Sequence, residues 1–219
     1  MKFEEYFESV YLINMDKRPD RLEISLRDEL PRIGLSQVMR FAGLVYENIE
    51  NPWVRGAYGC AMSHVSCLHD ALNKGTHAFM FEDDVHFADI DGLPEILENA
   101  IDELRNTDWK LFYLGGNLLK PCYQQTDHLA RLTHCQSTVA WGCNFNFIEE
   151  LLNYIPTDRF QYPIDVILAD GVIPNNESYI TIPMICGQRK DHSDIEGQVV
   201  DYESYLWDRY NSNLILKKS

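Results

Sequence analysis

Three consecutive carboxylates follow a predicted strand and are well suited to bind a metal ion. Residues 77–81 (HAFMF) are a short apolar run that predicts a buried strand, and Glu82, Asp83 and Asp84 come directly after it. In open α/β sheets ligands bind beyond the carboxyl ends of the strands, and carboxylates are ligands of hard divalent ions such as Mg²⁺ or Mn²⁺. A solvated acidic loop is the alternative interpretation, because residues 82–108 hold ten acids and one base.

Two arginines follow an earlier predicted strand, residues 10–15 (VYLINM). Arg18 and Arg21 are three positions apart and so are neighbours on the first turns of the helix expected there. Such a pair can bind a phosphate or a carboxylate, with help from the amide groups at the helix start. Salt bridges from these arginines to Asp20 and Glu23 on a wet helix face are the alternative.

A serine and a histidine lie within a small-residue-rich helix predicted over residues 57–73. Ser63 and His64 offer a hydroxyl and an imidazole, which are common ligands and catalytic groups. A lone histidine inside an apolar helix is more often a core residue with satisfied hydrogen bonds than a ligand, so this pair alone indicates little.

Strands and helices alternate along the first 115 residues at spacings suited to βαβ crossovers. The predicted strands are 10–15, 37–42, 77–81 and 110–114, and the predicted helices are 57–73, 94–106 and one that starts near Pro19 and ends at Gly34. This order predicts an α/β fold with a mostly parallel central sheet flanked by helices. A chain of 219 residues can bury one real core, so we expect a single domain.

The second half of the chain is less regular. We predict a strand at 137–140, helices at 145–154 and 164–169, a strand at 179–182 and a terminal helix at 202–219. Residues 43–56 show no clear period and contain a proline, which predicts a loop before the helix at 57–73.

The charge of the chain excludes several kinds of partner. Its 19 Lys and Arg stand against 34 Asp and Glu, a formal net charge of −15, whereas nucleic acids and anionic membranes attract an excess of basic residues. The sequence starts without the pattern of a signal peptide and has no run near the ~18 apolar residues of a membrane span, so we expect a cytoplasmic protein without a transmembrane segment. The six cysteines include no C-x-x-C pair, which favours reduced thiols over disulfides.

Three blocks of sequence carry a family resemblance. Residues 11–21 (YLINMDKRPDR) are similar to the signature I-N-L-x-R-R-x-D-R, residues 59–64 (GCAMSH) to G-C-x-x-S-H, and residues 79–85 (FMFEDDV) to a strand ending in E-D-D, a variant of the metal-binding D-x-D. In this order and spacing the blocks resemble glycosyltransferase family 25, which includes lipooligosaccharide and collagen galactosyltransferases. Residues 162–165 (YPID) resemble the family's P-x-D segment, and residues 188–195 resemble its late Q…S-D-I stretch.

The resemblance implies a GT-A fold that binds a UDP-sugar with a divalent cation, Mn²⁺ or Mg²⁺. It implies a nucleotide-sugar half at about residues 8–115, an acceptor half at about 116–200 and a C-terminal tail at about 201–219. The candidate metal ligands are Glu82, Asp84 and His192, and a surface position is the alternative for His192. The candidate nucleotide-sugar-binding residues are Asn14, Arg18, Arg21, Ser63, His64 and Asp83.

Inversion at the anomeric carbon needs a base on the face opposite the leaving group. Asp165, which resembles the aspartate of the P-x-D segment, is the candidate base, and a helix N-cap is the alternative role for an aspartate there. Trp141 and Tyr162 are candidate acceptor-binding residues that could stack on a sugar, as is Trp53, although each such aromatic residue is more often part of a core.

These features predict a metal-dependent, inverting glycosyltransferase of glycan or lipopolysaccharide biosynthesis. It would move a hexose, galactose or glucose, from a UDP-sugar to a saccharide or hydroxylated acceptor. Two other classes stay open: a metal-dependent hydrolase or phosphatase, and a non-catalytic nucleotide- or carbohydrate-binding domain. Because residues 82–108 carry a net charge of −9 and a diphosphate is also an anion, we expect weak donor binding without metal.

Overall fold

The structure, a computed structural model, describes residues 2–155, 162–202 and 214–217. Its helices are α1 (Phe3–Tyr6), α2 (Pro19–Ile24), α3 (Pro52–Lys74), α4 (Leu93–Leu104), α5 (Phe145–Tyr154) and α6 (Ile164–Ile167). Its strands are β1 (Ser9–Asn14), β2 (Met39–Ala42), β3 (Ala78–Glu82), β4 (Val85–Phe87), β5 (Leu111–Tyr113), β6 (Cys122–Gln124), β7 (Leu129–Arg131), β8 (Ala140–Cys143), β9 (Ser178–Thr181), β10 (Cys186–Gln188), β11 (Asp191–Ser193), β12 (Gln198–Val200) and β13 (Ile215–Lys217).

A nine-stranded sheet forms the centre of the described fold, in the order β13-β6-β7-β9-β5-β8-β3-β1-β2. Seven of these strands point the same way, and β7 and β8 run against them. One face of the sheet packs on α3 and α5, and the other packs on α1 and α4. Both faces of β1 are therefore buried, which explains its unbroken apolar run. The predicted α/β fold with a mostly parallel sheet flanked by helices is confirmed.

Two small antiparallel pairs follow the carboxyl end of β3. The strand β4 continues the chain just after the acidic triplet and pairs with β10. The hairpin of β11 and β12 comes next, and its Asp191 forms salt bridges with Arg18 and Arg21 beyond β1. These late segments therefore close over the same edge of the sheet at which the early motifs end.

Several predicted boundaries hold and others do not. The helix α5 spans residues 145–154 as predicted, whereas α3 begins at Pro52, inside the predicted loop. The earlier start follows from Asn51, whose side chain accepts a hydrogen bond from the N–H of Val54 at 3.1 Å and caps the helix. The strand predicted at 137–140 lies at Ala140–Cys143 instead. Its predicted start contains Ser137, whose φ of 77° is incompatible with an extended strand.

The helix predicted between Pro19 and Gly34 is not one regular α-helix. It ends at Ile24 and continues as a π-helical turn, Ser25–Glu29, and a 3-10 turn, Leu30–Ile33. The hydroxyl of Ser25 donates a hydrogen bond to the carbonyl oxygen of Asp83 at 2.9 Å, which ties the irregular turn to the acidic triplet. A tertiary contact of this kind has no signature in the local sequence.

The predicted terminal helix at 202–219 lies mostly outside the described residues. Its described end, Ile215–Lys217, is a strand that pairs in parallel with β6, so the helix prediction is wrong there. In the described ranges no helix has both the length and the apolar composition that crossing a bilayer requires. All six cysteines are free thiols, as predicted.

Candidate active site

The carboxyl ends of β1 and β3 lie side by side and gather residues of two sequence motifs. These strands pair in parallel with Ile13 opposite Glu82, which places Asn14 beside the acidic triplet. The side chains of Glu82, Asp83 and Asp84 are only 19%, 9% and 17% exposed. The alternative of a solvated acidic loop is therefore wrong for these three residues.

Asp83 has both carboxylate oxygens engaged within the protein. The side-chain amide of Asn14 donates to Oδ2 at 2.7 Å, and Nη1 of Arg21 donates to Oδ1 at 3.0 Å. Burial raises the pKa of Asp83, and the Arg21 guanidinium and the Asn14 hydrogen bond oppose that rise. Asp83 thus holds Asn14 and Arg21 in place and has little capacity left for a ligand.

Asp84 differs because one of its oxygens is buried and unpaired. Its Oδ2 accepts a hydrogen bond from Nη1 of Arg21 at 3.3 Å, whereas Oδ1 has no hydrogen-bond partner among the described residues. Burial and the negative charges of Glu82 and Asp83 raise the pKa of Asp84 to about 7, and Arg21 limits the rise. A buried carboxylate oxygen without a partner costs free energy, which a cation bound there would offset.

Glu82 receives several hydrogen bonds on a single oxygen. Its Oε1 accepts from the hydroxyl of Thr138 at 2.7 Å, lies 3.1 Å from Nε2 of His64 and accepts a weak bond from the thiol of Cys60 at 3.9 Å. Burial acts to raise the pKa of Glu82, but the bonds from His64 and Thr138 outweigh it and the net shift is downward. Glu82 is therefore held in its ionised form.

The tautomer of His64 follows from its second neighbour. Nε1 of Trp141 lies 3.3 Å from Nδ1 of His64, and an indole N–H can only donate. Nδ1 is then the acceptor, Nε2 carries the proton, and this N–H donates to Glu82. Both rings are fully buried.

Cys60, His64 and Glu82 also form a compact group of metal-ligand types. Their ligand atoms all lie within 4.8 Å of one another, and thiolate, imidazole and carboxylate are the usual ligands of zinc. In the geometry observed, however, the nearby nitrogen of His64 is protonated, and burial raises the pKa of the Cys60 thiol well above its usual range. The group is therefore arranged to donate hydrogen bonds to Glu82.

The basic residues after β1 are paired with acids of the late hairpin. Arg18 binds Asp20, Asp191 and Asp194. Arg21 binds Asp191 at 2.9 Å as well as Asp83 and Asp84. The two arginines also donate to the carbonyl oxygen of His192. Although burial acts to raise it, the bonds from the His192 backbone, Arg21 and Arg18 lower the pKa of Asp191 to about 2. The predicted salt bridge to Asp20 is confirmed, whereas Glu23 pairs with Arg27.

Two adjoining cavities open at this edge of the sheet. The first, which we call the acidic cavity, has a volume of about 380 Å³, and its charged lining residues are Lys17, Arg21, Arg55, Glu47, Glu82, Asp83, Asp84 and Asp194. The second, the Asp165 cavity, has a volume of about 250 Å³, and its lining includes Trp53, Gln136, Ser137, Thr138, Asp165 and Tyr202. Residues shared by both walls are Cys60, Glu82, Gln188, Ser193 and Ile195. Three bases face five acids in the acidic cavity.

Asp165 is held by backbone groups. Its Oδ2 accepts a hydrogen bond from the N–H of Ser137 at 3.1 Å, and its Oδ1 accepts from the N–H of Val166 at 2.9 Å. Burial raises the pKa of Asp165 against the lowering effect of these bonds. The N-cap of α6 is Pro163, so Asp165 lies inside the first turn and not at the N-cap, although its bond to Val166 supports the helix start.

The two predicted acceptor residues lie elsewhere. Trp141 is fully buried between β3 and β5, so its predicted stacking role is wrong because no sugar can reach the ring. Tyr162 is 58% exposed but lines a separate cavity with Tyr154 and Asp170. The structure thus does not bring Tyr162 together with Asp165, whereas Trp53, which is 40% exposed, lines the Asp165 cavity.

The predicted donor-side residues differ in their access to the two cavities. His64, Asn14 and Arg18 line neither cavity, whereas Ser63 reaches the acidic cavity while it donates to the carbonyl oxygen of Gly59 at 2.7 Å. The imidazole of His192 is exposed and forms no compact ligand group with Glu82 and Asp84 in the described part of the chain. The predicted three-residue metal set is therefore corrected, because the hairpin turns the backbone of His192 toward the arginines.

Sequence reasoning missed four residues that contribute to the site. Asp191 and Asp194 pair with the arginines, Thr138 donates to Glu82, and Arg55 lines the acidic cavity. Their partners lie as far as 176 residues away in the sequence, so no local spacing could have indicated them. The available signal for Asp194 was that the late stretch containing it resembles a family motif.

Comparison with known proteins gives structural and family matches. Solved structures that align with this chain include A197 from STIV, with 12% identity, a TM-score of 0.45 and coverage of 84% of this chain and 95% of that one. A glycosyltransferase involved in the glycosylation of the major capsid of PBCV-1 has 10% identity, a TM-score of 0.44 and coverage of 78% and 80%. Mannose-1-phosphate geranyltransferase from Thermus thermophilus has 10% identity, a TM-score of 0.38 and coverage of 79% and 72%. None of these TM-scores reaches 0.5.

The family match is more informative. No curated protein matches the sequence significantly. The family model described as Glycosyltransferase family 25 (LPS biosynthesis protein) matches residues 41–147, just under half of the chain. The matched region contains both the 59–64 block and the acidic triplet, and thus most of the lining of the acidic cavity. It confirms the resemblance to glycosyltransferase family 25 over this region and supports a glycosyltransferase.

Proposed function

We propose that the protein is a metal-dependent, inverting hexosyltransferase that uses a UDP-sugar and a saccharide or hydroxylated acceptor. The observation that carries the proposal is the pair of adjoining cavities with Glu82 in their common wall. One cavity has charged groups suited to a nucleoside diphosphate together with a cation, and the other has a carboxylate suited to a base. A transferase needs two such compartments in contact, because the sugar passes from one ligand to the other.

A divalent cation fits the acidic cavity. The lining has five acids and three bases, so without a cation this cavity repels a diphosphate. Asp84 is part of the cavity wall, and its buried Oδ1 has no hydrogen-bond partner among the described residues. Asp84 would hold Mn²⁺ or Mg²⁺, whereas Asp83 is already saturated by Asn14 and Arg21. Bound there, the cation would supply charge neutralisation to the departing diphosphate.

Arg21 supplies the fixed positive charge of this cavity. The side chain of Arg21 is 9% exposed and its guanidinium is fixed by Asp83, Asp84 and Asp191, so it needs no reorganisation to face an anion. Lys17 is more exposed and pairs with Asp194 at 2.5 Å. Preorganised charge of this kind stabilises a leaving group more than mobile surface charge does.

Asp165 would accept the proton of the acceptor hydroxyl. It lines the second cavity only, so it would approach the sugar from a compartment other than that of the diphosphate, as inversion requires. The pKa of Asp165 is raised by burial, which makes it a stronger base than a solvated aspartate. The half-exposed ring of Trp53 could pack against the acceptor in the same cavity.

Calorimetry with UDP tests the metal dependence. We expect UDP to bind at least about tenfold more tightly with Mn²⁺ than without it, and Asp84→Asn to remove that difference. Asp91→Asn is the matched control, because Asp91 is an exposed acid of the same segment and should leave the coupling unchanged. Equal UDP affinity with and without Mn²⁺ in the wild type would contradict the proposed metal site.

A further inference from the structure

The position of Glu82 indicates which part of the donor it meets. If the diphosphate lies in the acidic cavity and the acceptor lies beside Asp165, the transferred sugar must lie where the two cavities join. Glu82 is a residue of that junction, together with Gln188 and Ser193. Of these three it is the only acid, and a carboxylate is a strong acceptor for the hydroxyl groups of a sugar.

One oxygen of Glu82 is available for such a bond. The hydrogen bonds from Cys60, His64 and Thr138 all go to Oε1. The side chain is 19% exposed, and Oε2 is not among the buried unpaired atoms of the described residues. Oε2 is therefore the oxygen that can face a ligand, while Oε1 anchors the carboxylate.

The anchor is itself fixed by a buried relay. The N–H of Trp141 donates to Nδ1 of His64, and Nε2–H of His64 donates to Glu82. Trp141 and His64 are both fully buried, so neither can touch a ligand. Residues that orient a ligand-contacting group in this way typically affect function through that group alone.

We propose that Glu82 binds a hydroxyl group of the transferred sugar through Oε2, and that Trp141 and His64 are positioning residues that fix its orientation. This inference rests on the proposed hexosyltransferase function. It removes Glu82 from the expected metal ligands, and it gives the buried His64 and Trp141 a role that neither nucleotide binding nor acceptor stacking provides. Asp84 then remains as the carboxylate with an oxygen free for a cation.

The first test separates sugar binding from metal binding at Glu82. Hydrolysis of UDP-galactose and UDP-glucose is measured with Mn²⁺, and free UDP is used as an inhibitor. For Glu82→Gln we expect kcat/KM of the faster donor to fall about 10- to 100-fold, and the inhibition constant of UDP to stay within about twofold. A matching loss of UDP affinity would make Glu82 a metal ligand and overturn the inference, as would unchanged kcat/KM.

The second test asks whether the relay positions Glu82 or only stabilises the fold. Trp141→Phe removes the indole donor, and Trp109→Phe is its matched control, because Trp109 is also buried and donates to the hydroxyl of Tyr6 at 2.7 Å. We expect Trp141→Phe to lower kcat/KM about tenfold with UDP inhibition unchanged, and Trp109→Phe to leave both unchanged. Equal effects of the two variants on kcat/KM would show that Trp141 is only structural.

A third comparison uses His64 itself. A glutamine can accept from Trp141 with its amide oxygen and donate to Glu82 with its amide nitrogen, whereas a leucine can do neither. His64→Gln should therefore keep clearly more activity than His64→Leu, and equal activities would contradict the relay.

If the wild type hydrolyses neither UDP-hexose, the proposed function fails and the inference fails with it. If the wild type hydrolyses one of them and Glu82→Gln does so equally well, only the inference fails.

Discussion

The two cavities hold their carboxylates in different ways. In the acidic cavity, Asp83 and Asp84 are fixed by side chains from distant parts of the chain, above all by Arg21, which lies 62 residues before Asp83. In the Asp165 cavity, the aspartate is fixed by two backbone N–H groups, from Ser137 and Val166. A side-chain network fails as a unit when one member is removed, whereas backbone donors remain when the carboxylate is changed. Loss of the shared cation Arg21 from the acidic cavity should therefore damage stability and function together, whereas substitution of Asp165 should damage function alone.

The largest effect is expected at Arg21. Arg21→Ala removes the guanidinium and leaves the carboxylates of Asp83 and Asp84 buried without that positive charge. This should lower the free energy of unfolding by about 3–5 kcal/mol. Arg27→Ala is the control, because Arg27 pairs with Glu23 and Asp28 on the exposed surface and should lower it by less than about 1 kcal/mol. Urea denaturation measures both, and similar losses would contradict the buried network.

Asp165→Asn should lower activity without lowering stability, in contrast to Arg21→Ala. If Asp165 is the base, hydrolysis of a UDP-hexose should slow about 10²- to 10⁴-fold, while UDP affinity and the free energy of unfolding stay near those of the wild type. Asp170→Asn is the matched control, because Asp170 is an exposed acid five residues further along the chain that lines neither cavity. If Asp165→Asn also weakens UDP binding, Asp165 belongs to the donor side.

The pH dependence of stability separates two aspartates with opposite shifts. The pKa of Asp84 is raised from 3.8 to about 7, so its contribution favours folding below pH 4 and is lost as the pH rises to about 7. Asp84→Asn should therefore gain stability relative to the wild type, on the order of 2 kcal/mol or more, above pH 7 and little below pH 4.

Asp191 should change the pH dependence of stability in the opposite direction to Asp84. Its pKa is lowered from 3.8 to about 2, so it contributes stability above pH 4 that is lost as the pH falls toward 2. Asp191→Asn should thus be less stable than the wild type at neutral pH, and the difference should shrink in acid. Urea denaturation of both variants from pH 3 to pH 8 measures these slopes, and slopes of the same sign would contradict the assignment.

The sequence was sufficient for the parts of the molecule that depend on local pattern. The strands β1 and β3 are buried on both faces, so their continuous apolar runs located them within one residue. The acidic triplet was then expected at the end of β3. The family resemblance rested on short motifs within single segments. It was confirmed over residues 41–147, where two of those motifs lie.

The sequence was insufficient for contacts between distant segments. His64 and Ser63 belong to one motif, yet their hydrogen-bond partners lie in different segments. His64 accepts from Trp141, which is 77 residues away in the sequence, and Ser63 accepts from the N–H of Leu44. A Cβ at Gly59 would collide with the carbonyl oxygen of Leu44, so this part of the motif serves close packing of α3. The sequence suggested that Trp141 stacks on a sugar, because aromatic residues occur both in cores and in binding sites. Only the burial seen in the structure distinguishes the two roles.

The most direct test of the account is metal-dependent hydrolysis of UDP-galactose and UDP-glucose by the wild-type protein. Many transferases pass the sugar slowly to water when no acceptor is present, so the assay needs no knowledge of the acceptor. We expect turnover of at least one of these donors with Mn²⁺, its loss on chelation, and its recovery when Mn²⁺ is restored. UDP binding without turnover of either donor, with or without metal, would contradict the account and indicate a nucleotide-binding domain.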